Sequence, residues 1–189
     1  MDTTQSQPEL RLRPATPEDR FRVRRWLAAH RGEGRWSSAA GAEAEVTLAM
    51  GSEAALPRII EWNGEPIGYA QAVEIGLWGR DRPEGLAPGT WDVDLFFAEE
   101  AHRGRGLEAA VLALLAEEVF STTLAVACCA LVPVRNEARV RSCEQAGFRW
   151  LRIWNDELLG PSWVMLKERP AQPPQRRRSD PPPPAAAKR

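Results

Sequence analysis

The chain has 189 residues, a mass of 21.0 kDa, 43% apolar and 27% charged residues, and a formal net charge of -1. This is the size of one full domain with a soluble globular composition, which excludes collagen-like, coiled-coil and wholly disordered classes. The longest apolar runs, Ala109 to Ala116 and Leu124 to Val134, fall short of the roughly 18 residues a membrane span needs. Met1 to Leu10 lacks a basic-then-apolar export signal, so a cytoplasmic location is expected.

Residues 1–8 are polar and expected to be flexible, ahead of a domain spanning 9–169. Leu10 to Arg13 alternates apolar and basic residues, the pattern of a short strand. Thr16-Pro17-Glu18-Asp19 supplies a cap, a first-turn proline and an acid, opening a helix to about His30 that Gly32 and Gly34 end. After Trp36, the stretch Ala42 to Leu56 has helical composition broken by Gly51. Pro57 to Trp62 and Ile67 to Ile75 read as strands joined at Asn63-Gly64, a hairpin signal because both residues tolerate positive φ. The 14 residues from Gly76 to Gly89 form a loop long enough to suggest a role in binding. Thr90 to Ala98 is the next strand. Leu107 to Phe120 is a helix with Val111, Leu112, Leu114, Leu115 and Val119 on its buried face. Thr123 to Val132, nearly all apolar, reads as a central strand. Asn136 caps a helix that Gly147 stops, and Phe148 to Trp154 pairs with Ser162 to Leu166.

Beyond Arg169 the chain carries seven of its 16 prolines, and 170–189 reads as a disordered Pro/Arg-rich tail. Five basic residues there (Arg176, Arg177, Arg178, Lys188, Arg189) oppose Asp180 alone, which leaves a balance of -5 on residues 1–169. No excess of basic charge is left for a nucleic acid, and the mild acidity suits a cationic small molecule. Cys128, Cys129 and Cys143 are an odd count without a C-x-x-C pair, and His30 and His102 are the only histidines. Neither a disulfide framework nor a metal site is expected.

The chemically informative segment runs Phe97-Ala-Glu-Glu-Ala-His102-Arg103-Gly104-Arg105-Gly106-Leu107-Glu108-Ala109, a strand passing through glycines into a helix. Glycines let several N–H groups converge, and the helix dipole adds partial positive charge, which together suit a pyrophosphate. An ordinary strand-to-helix turn is the plain alternative. Gly104-x-Gly106-x-x-Ala109 also satisfies a loose dinucleotide fingerprint, but the following strand carries no acid to hold a ribose. Asp92 and Asp94, two residues apart on one strand, project from the same face. Carboxylates so close raise one pKa and favour a base, unless arginines at the sheet edge pair with them.

The run Arg103-Gly-Arg-Gly106-Leu-Glu, an apolar strand, and Asn136-x-Ala-x-x-x-x-x-x-x-Ala146-Gly147-Phe148 resembles the GNAT superfamily of acetyl-CoA-dependent N-acetyltransferases. Asn63-Gly-Glu-Pro-Ile-Gly-Tyr-Ala-Gln71, with Asp94 and the glycine loop, looks like the aminoglycoside 6'-N-acetyltransferases; siderophore amine acyltransferases are a related group. The resemblance implies an α/β fold with a mixed, mostly antiparallel central sheet splayed between its fourth and fifth strands and flanked by helices. It implies acetyl-CoA as cosubstrate, held by Phe97, Ala98, Arg103, Gly104, Arg105, Gly106, Leu107, Glu108 and Asn136, with backbone N–H groups near Ala98 polarising the thioester carbonyl. Glu108 departs from the usual small residue there, and its carboxylate is expected to point outward. Asp94 matches the family's acid. Trp36, Trp78, Asp81 and Asp92 are substrate-contact candidates for a cationic amine, in a monomer or homodimer without nucleic acid or membrane. The family's usual tyrosine proton donor is replaced by Cys143, a candidate donor or a buried small residue. The only tyrosine, Tyr69, is on another strand. Leu131 stands where such enzymes have an acid. These departures keep open a catalytically silent acyl-CoA-binding module.

Overall fold

The computed structural model describes residues 9–29, 36, 38–76, 83–156 and 160–171. Its strands are β1 (Leu10–Pro14), β2 (Ala55–Trp62), β3 (Glu65–Glu74), β4 (Thr90–Phe97), β5 (Ala127–Pro133), β6 (Arg149–Asp156) and β7 (Gly160–Glu168). Its helices are α1 (Asp19–Ala29), α2 (Ala39–Met50), α3 (Leu107–Thr122) and α4 (Glu137–Gln145), with a 3-10 turn at Glu100–His102 before α3. The seven strands form one sheet in the order β1-β2-β3-β4-β5-β7-β6. All neighbours are antiparallel except β4 and β5.

Local chemistry explains most element ends. Asn63 and Gly64 take φ of 51° and 81°, the backbone a two-residue hairpin between β2 and β3 requires. Helix α1 starts at Asp19 rather than Pro17. The Asp19 carboxylate accepts from the Thr16 N–H at 2.9 Å and from Arg13 at 2.6 and 2.8 Å, which holds Thr16 to Glu18 in a turn outside the helix. Helix α2 lies earlier than the composition predicts, because Ser38 caps it and Ala55 and Leu56 instead pair with Val73 and Ala72. Strand β5 starts at Ala127 rather than Thr123, since the Thr123 hydroxyl and N–H both donate to the Val119 carbonyl and finish α3.

The sheet has a core on each face. On one, Val111, Leu112, Leu115 and Val119 of α3 are fully buried against Ala70, Ala72, Val93, Leu95 and Phe97, whereas Leu114, expected on the same face, is 37% exposed because it is turned a quarter of the helix away from them. On the other, Val23, Leu27 and Val46 from α1 and α2 pack on Ile59, Tyr69 and Phe96. Residues of β4 therefore alternate between the two cores, as the strand period demands.

The feature that positions the site is the failure of β4 and β5 to stay together. They pair only at Thr90↔Ala127, Trp91↔Cys128 and Asp92↔Cys129. From there β4 keeps β3 as its partner through Phe97, whereas β5 stays with β7 through Pro133. A wedge opens between Val93–Phe97 on one side and Ala130–Pro133 on the other, with α3 and α4 starting at its mouth.

Candidate active site

A cleft of about 800 Å³ occupies this wedge, lined by Asp94 to Phe97 of β4, Leu131 and Pro133 of β5, the glycine loop before α3, and the exposed side of α4. Its volume is that of a small-ligand site.

The glycine loop reaches its shape through positive φ, 74° at both Gly104 and Gly106, with Gly106 in the left-handed region as the N-cap of α3. A Cβ at either would meet nothing within 4 Å. The glycines are thus required for backbone conformation and leave open space beside the α3 N-terminus, where unpaired N–H groups and the helix dipole favour an anion. This fits a diphosphate. Arg103 lines the cleft and is held 3.8 Å from Glu100. Arg105 is exposed and outside the lining, and Leu107, 5% exposed, packs in the core.

Backbone polarity on β4 corrects the expectation at Ala98, whose N–H donates to the Ile67 carbonyl at 2.9 Å and is therefore engaged by β3. In an antiparallel ladder successive residues point their N–H groups to opposite edges, so Phe97 and Leu95 direct theirs toward the wedge. The Leu95 N–H donates to Asp94 Oδ1 at 2.8 Å.

Asp94 lines the cleft with its side chain 18% exposed, and its Oδ1 also accepts from Arg139 Nη2 at 2.8 Å. Arg139 donates through Nη1 to Glu108, which accepts from the Ser142 hydroxyl at 2.9 Å as well. Glu108 is therefore turned toward α4, contrary to the outward orientation expected of it, because two donors on α4 satisfy its carboxylate. Burial works against the charge of Arg139, but attraction to Asp94 and Glu108 outweighs it and raises the guanidinium pKa above arginine's ordinary value. Asn136 lines the cleft and caps α4, its Oδ1 accepting from the Arg139 N–H at 3.1 Å.

Several candidates are placed elsewhere. Asp92 is 7% exposed at the last β4–β5 rung and does not line the cleft, so the two aspartates do not act there as a pair. Cys143 is fully buried in the α3-side core, off the cleft wall, and burial pushes its thiol up to about 11, which corrects its reading as a proton donor. Tyr69 is also fully buried, its hydroxyl donating to Gln71 at 3.1 Å, with its pKa raised by burial. Trp36 borders the cleft but is only 3% exposed, with its rings packed 6.0 Å from Tyr69 and 5.1 Å from Phe96. Stacking on a sugar is therefore not its main use. Trp78 and Asp81 lie outside the described residues.

Sequence reasoning missed Arg139, although a signal was present. Arg139, Cys143 and Ala146 recur at helical spacing on the face of α4 that packs inward, so a charge at the first of these positions needed a buried partner.

A wedge between parallel strands and a glycine turn opening a helix make a cleft fit for an elongated ligand that carries a diphosphate, with an acid at its mouth. The acetyltransferase (GNAT) domain matches residues 16–155, and the chain belongs to that family; it is an acetyltransferase that uses acetyl-CoA. It is 30% identical over 156 residues to the aminoglycoside N(6')-acetyltransferases type 1 of Klebsiella pneumoniae and Serratia marcescens, covering 77% of this chain and 76% of each of those. Solved structures of aminoglycoside acetyltransferase AAC(6')-Ib with coenzyme A, and with coenzyme A and kanamycin, match with a TM-score of 0.73. Each is 25% identical to this chain and covers 85% of it and 95% of its own.

Proposed function

We propose that the chain transfers an acetyl group to a primary amine of an aminoglycoside, the 6'-amine, by direct attack of the amine on the thioester. The observation that carries this reading is Asp94 at the mouth of the wedge, in a chain related to enzymes named for that reaction. Gly104, Gly106 and the first turn of α3 would hold the diphosphate, with Arg103 beside it. The Phe97 N–H faces the line the pantetheine arm would follow. When bound, the coenzyme supplies an activated acetyl thioester.

Asp94 then serves the acceptor. An alkyl ammonium has no lone pair to attack with, so the carboxylate first holds the cation and then takes its proton or passes it to water. Preorganisation matters here, since Leu95 and Arg139 fix Asp94 Oδ1 from two directions. The buried thiol of Cys143 is left out of the proton path, and solvent protonates the departing coenzyme thiolate.

The test is thiol release from acetyl-CoA by the purified chain with a panel of aminoglycosides, including an analogue with a hydroxyl in place of the 6'-amine. Turnover with the amine and none with the hydroxyl analogue, with mass spectrometry placing the acetyl group on the 6' nitrogen, is expected. Turnover confined to small mono- and diamines would favour the second reading, a small-amine acyltransferase, which the apolar Leu131 wall supports. Coenzyme binding without turnover on any amine would mark a silent module.

A further inference from the structure

Arg139 reaches Asp94 with one terminal nitrogen and Glu108 with the other, and the Glu108 arm plays no part in the proposed reaction. Glu108 stands two residues after Gly106, in the first turn of α3, where N–H groups and dipole attract any carboxylate within reach. Left to itself this side chain would compete with a diphosphate for those N–H groups and repel it. Instead it is drawn to α4, where the Arg139 guanidinium and the Ser142 hydroxyl hold it, and its side chain is 26% exposed. Arg139 is itself held in place. Its side chain is 11% exposed, its own N–H is fixed by the Asn136 cap, and its second terminal nitrogen is bound to Asp94.

We propose that Arg139 is a positioning residue for the coenzyme: it pulls the Glu108 carboxylate off the phosphate cradle and offsets its charge, so that the glycine loop can take a diphosphate despite an acid in its helix. The inference rests on the cradle binding coenzyme A, which the wild-type protein reports separately from any amine turnover. The pairing of Glu108 with Arg139 predicts a particular pattern of non-additivity, because removing Arg139 alone leaves the Glu108 charge unopposed and held by the Ser142 hydroxyl alone, whereas removing both leaves an uncharged turn.

Coenzyme A binding is measured by titration calorimetry on the full chain, with melting temperatures as a check on folding. Arg139→Ala is expected to weaken binding by about ten-fold or more. The double variant Glu108→Ala/Arg139→Ala is expected to return to within about three-fold of wild type, and Arg139→Lys to fall between wild type and Arg139→Ala. Should Arg139→Ala fail to fold, Arg139→Gln removes the charge while keeping hydrogen-bonding capacity, and the same comparison with its Glu108→Ala double applies. Wild-type affinity in the single variant, or a double variant as weak as the single, overturns the proposal. Failure of the wild type to bind coenzyme A overturns the cradle reading as well.

Discussion

Gly68 is the position where the wedge depends on a missing side chain. It pairs with Phe97 across β3 and β4, beside the irregular register at Ile60 and Glu61. A Cβ there would lie 2.4 Å from the Phe96 carbonyl oxygen, 3.1 Å from Phe97 Cα and 3.2 Å from Ile60 Cδ1. Two of these are backbone atoms in the strand that forms the cleft wall, so relief requires β4 to move by about 1 Å, to the 3.4 Å of ordinary contact. Overpacking usually costs about 1–3 kcal/mol, and backbone resistance puts Gly68→Ala near the top, about 3 kcal/mol. For a chain of this length that is a fall in Tm of roughly 6–12 °C. The same movement carries Leu95 and Phe97, so coenzyme A affinity should fall with stability. Gly64→Ala is the control: φ is 81° but nothing lies within 4 Å, so strain of about 1 kcal/mol is expected with coenzyme binding intact. Thermal unfolding and calorimetry read both quantities. A Gly68→Ala variant within about 0.5 kcal/mol of wild type, the range of an inert surface change, would refute the close-approach argument.

Asp94→Asn should keep coenzyme binding but lower kcat/KM for the amine by about 10²–10⁴-fold, the usual worth of a positioned acid or base; unchanged turnover would remove Asp94 from the mechanism. Cys143→Ala should leave kcat within about three-fold of wild type, since the thiol lies behind the wall, and a hundred-fold loss without a change in Tm would restore it as a donor. Native Cys143 and Cys128, pushed up by burial to about 11 and about 12, should resist alkylation at pH 8 until the protein unfolds. Asp19 accepts from Arg13, which lowers its pKa to about 2 from 3.8. Because the folded value is depressed, its contribution is complete above about pH 4 and disappears as pH falls toward 2. Linkage puts that contribution at up to about 2 kcal/mol, reduced by the partial exposure of Arg13. Urea unfolding at pH 6 and pH 3 should therefore differ less in Asp19→Asn than in wild type, and an equal pH dependence would sink this assignment.

Elements whose local chemistry and burial agree were legible from residues alone. The Asn63-Gly64 hairpin, α3 with its broad apolar face, and the Asn136 cap of α4 are of this kind. Ends set by tertiary partners were not: Asp19 belongs to Arg13 as much as to α1, and Thr123 closes a helix in a stretch whose composition is that of a strand. The site divides along the same line. Gly104 and Gly106 announce their backbone conformation in the sequence, and the strand parity of Asp92 and Asp94 is correct. Parity, however, does not say which of two same-face residues lies beyond the point where β5 departs. Asp92 is still inside the paired region and is buried, while Asp94 is past it and meets the cleft. The direction of Glu108 was equally hidden, because it is decided by Arg139, which is 31 residues away in the chain.

The charge around the cleft also differs from that of the domain. Residues 1–169 carry a balance of -5, yet Arg103, Arg135, Arg139 and Arg141 face Asp94, Glu108 and Glu137 along the described wall. Local placement, not net charge, sets the field a ligand meets. That wall, with four arginines against three carboxylates, suits a polyanionic coenzyme better than the balance of the whole domain suggests. On the proposed reading, a cationic acceptor at this wall meets Asp94 in competition with Arg139 for the same oxygen. It follows that acceptor affinity should respond to changes at Arg139 in the direction opposite to coenzyme affinity. Removing the guanidinium takes one competing donor away from Asp94 Oδ1, while it exposes the diphosphate to Glu108.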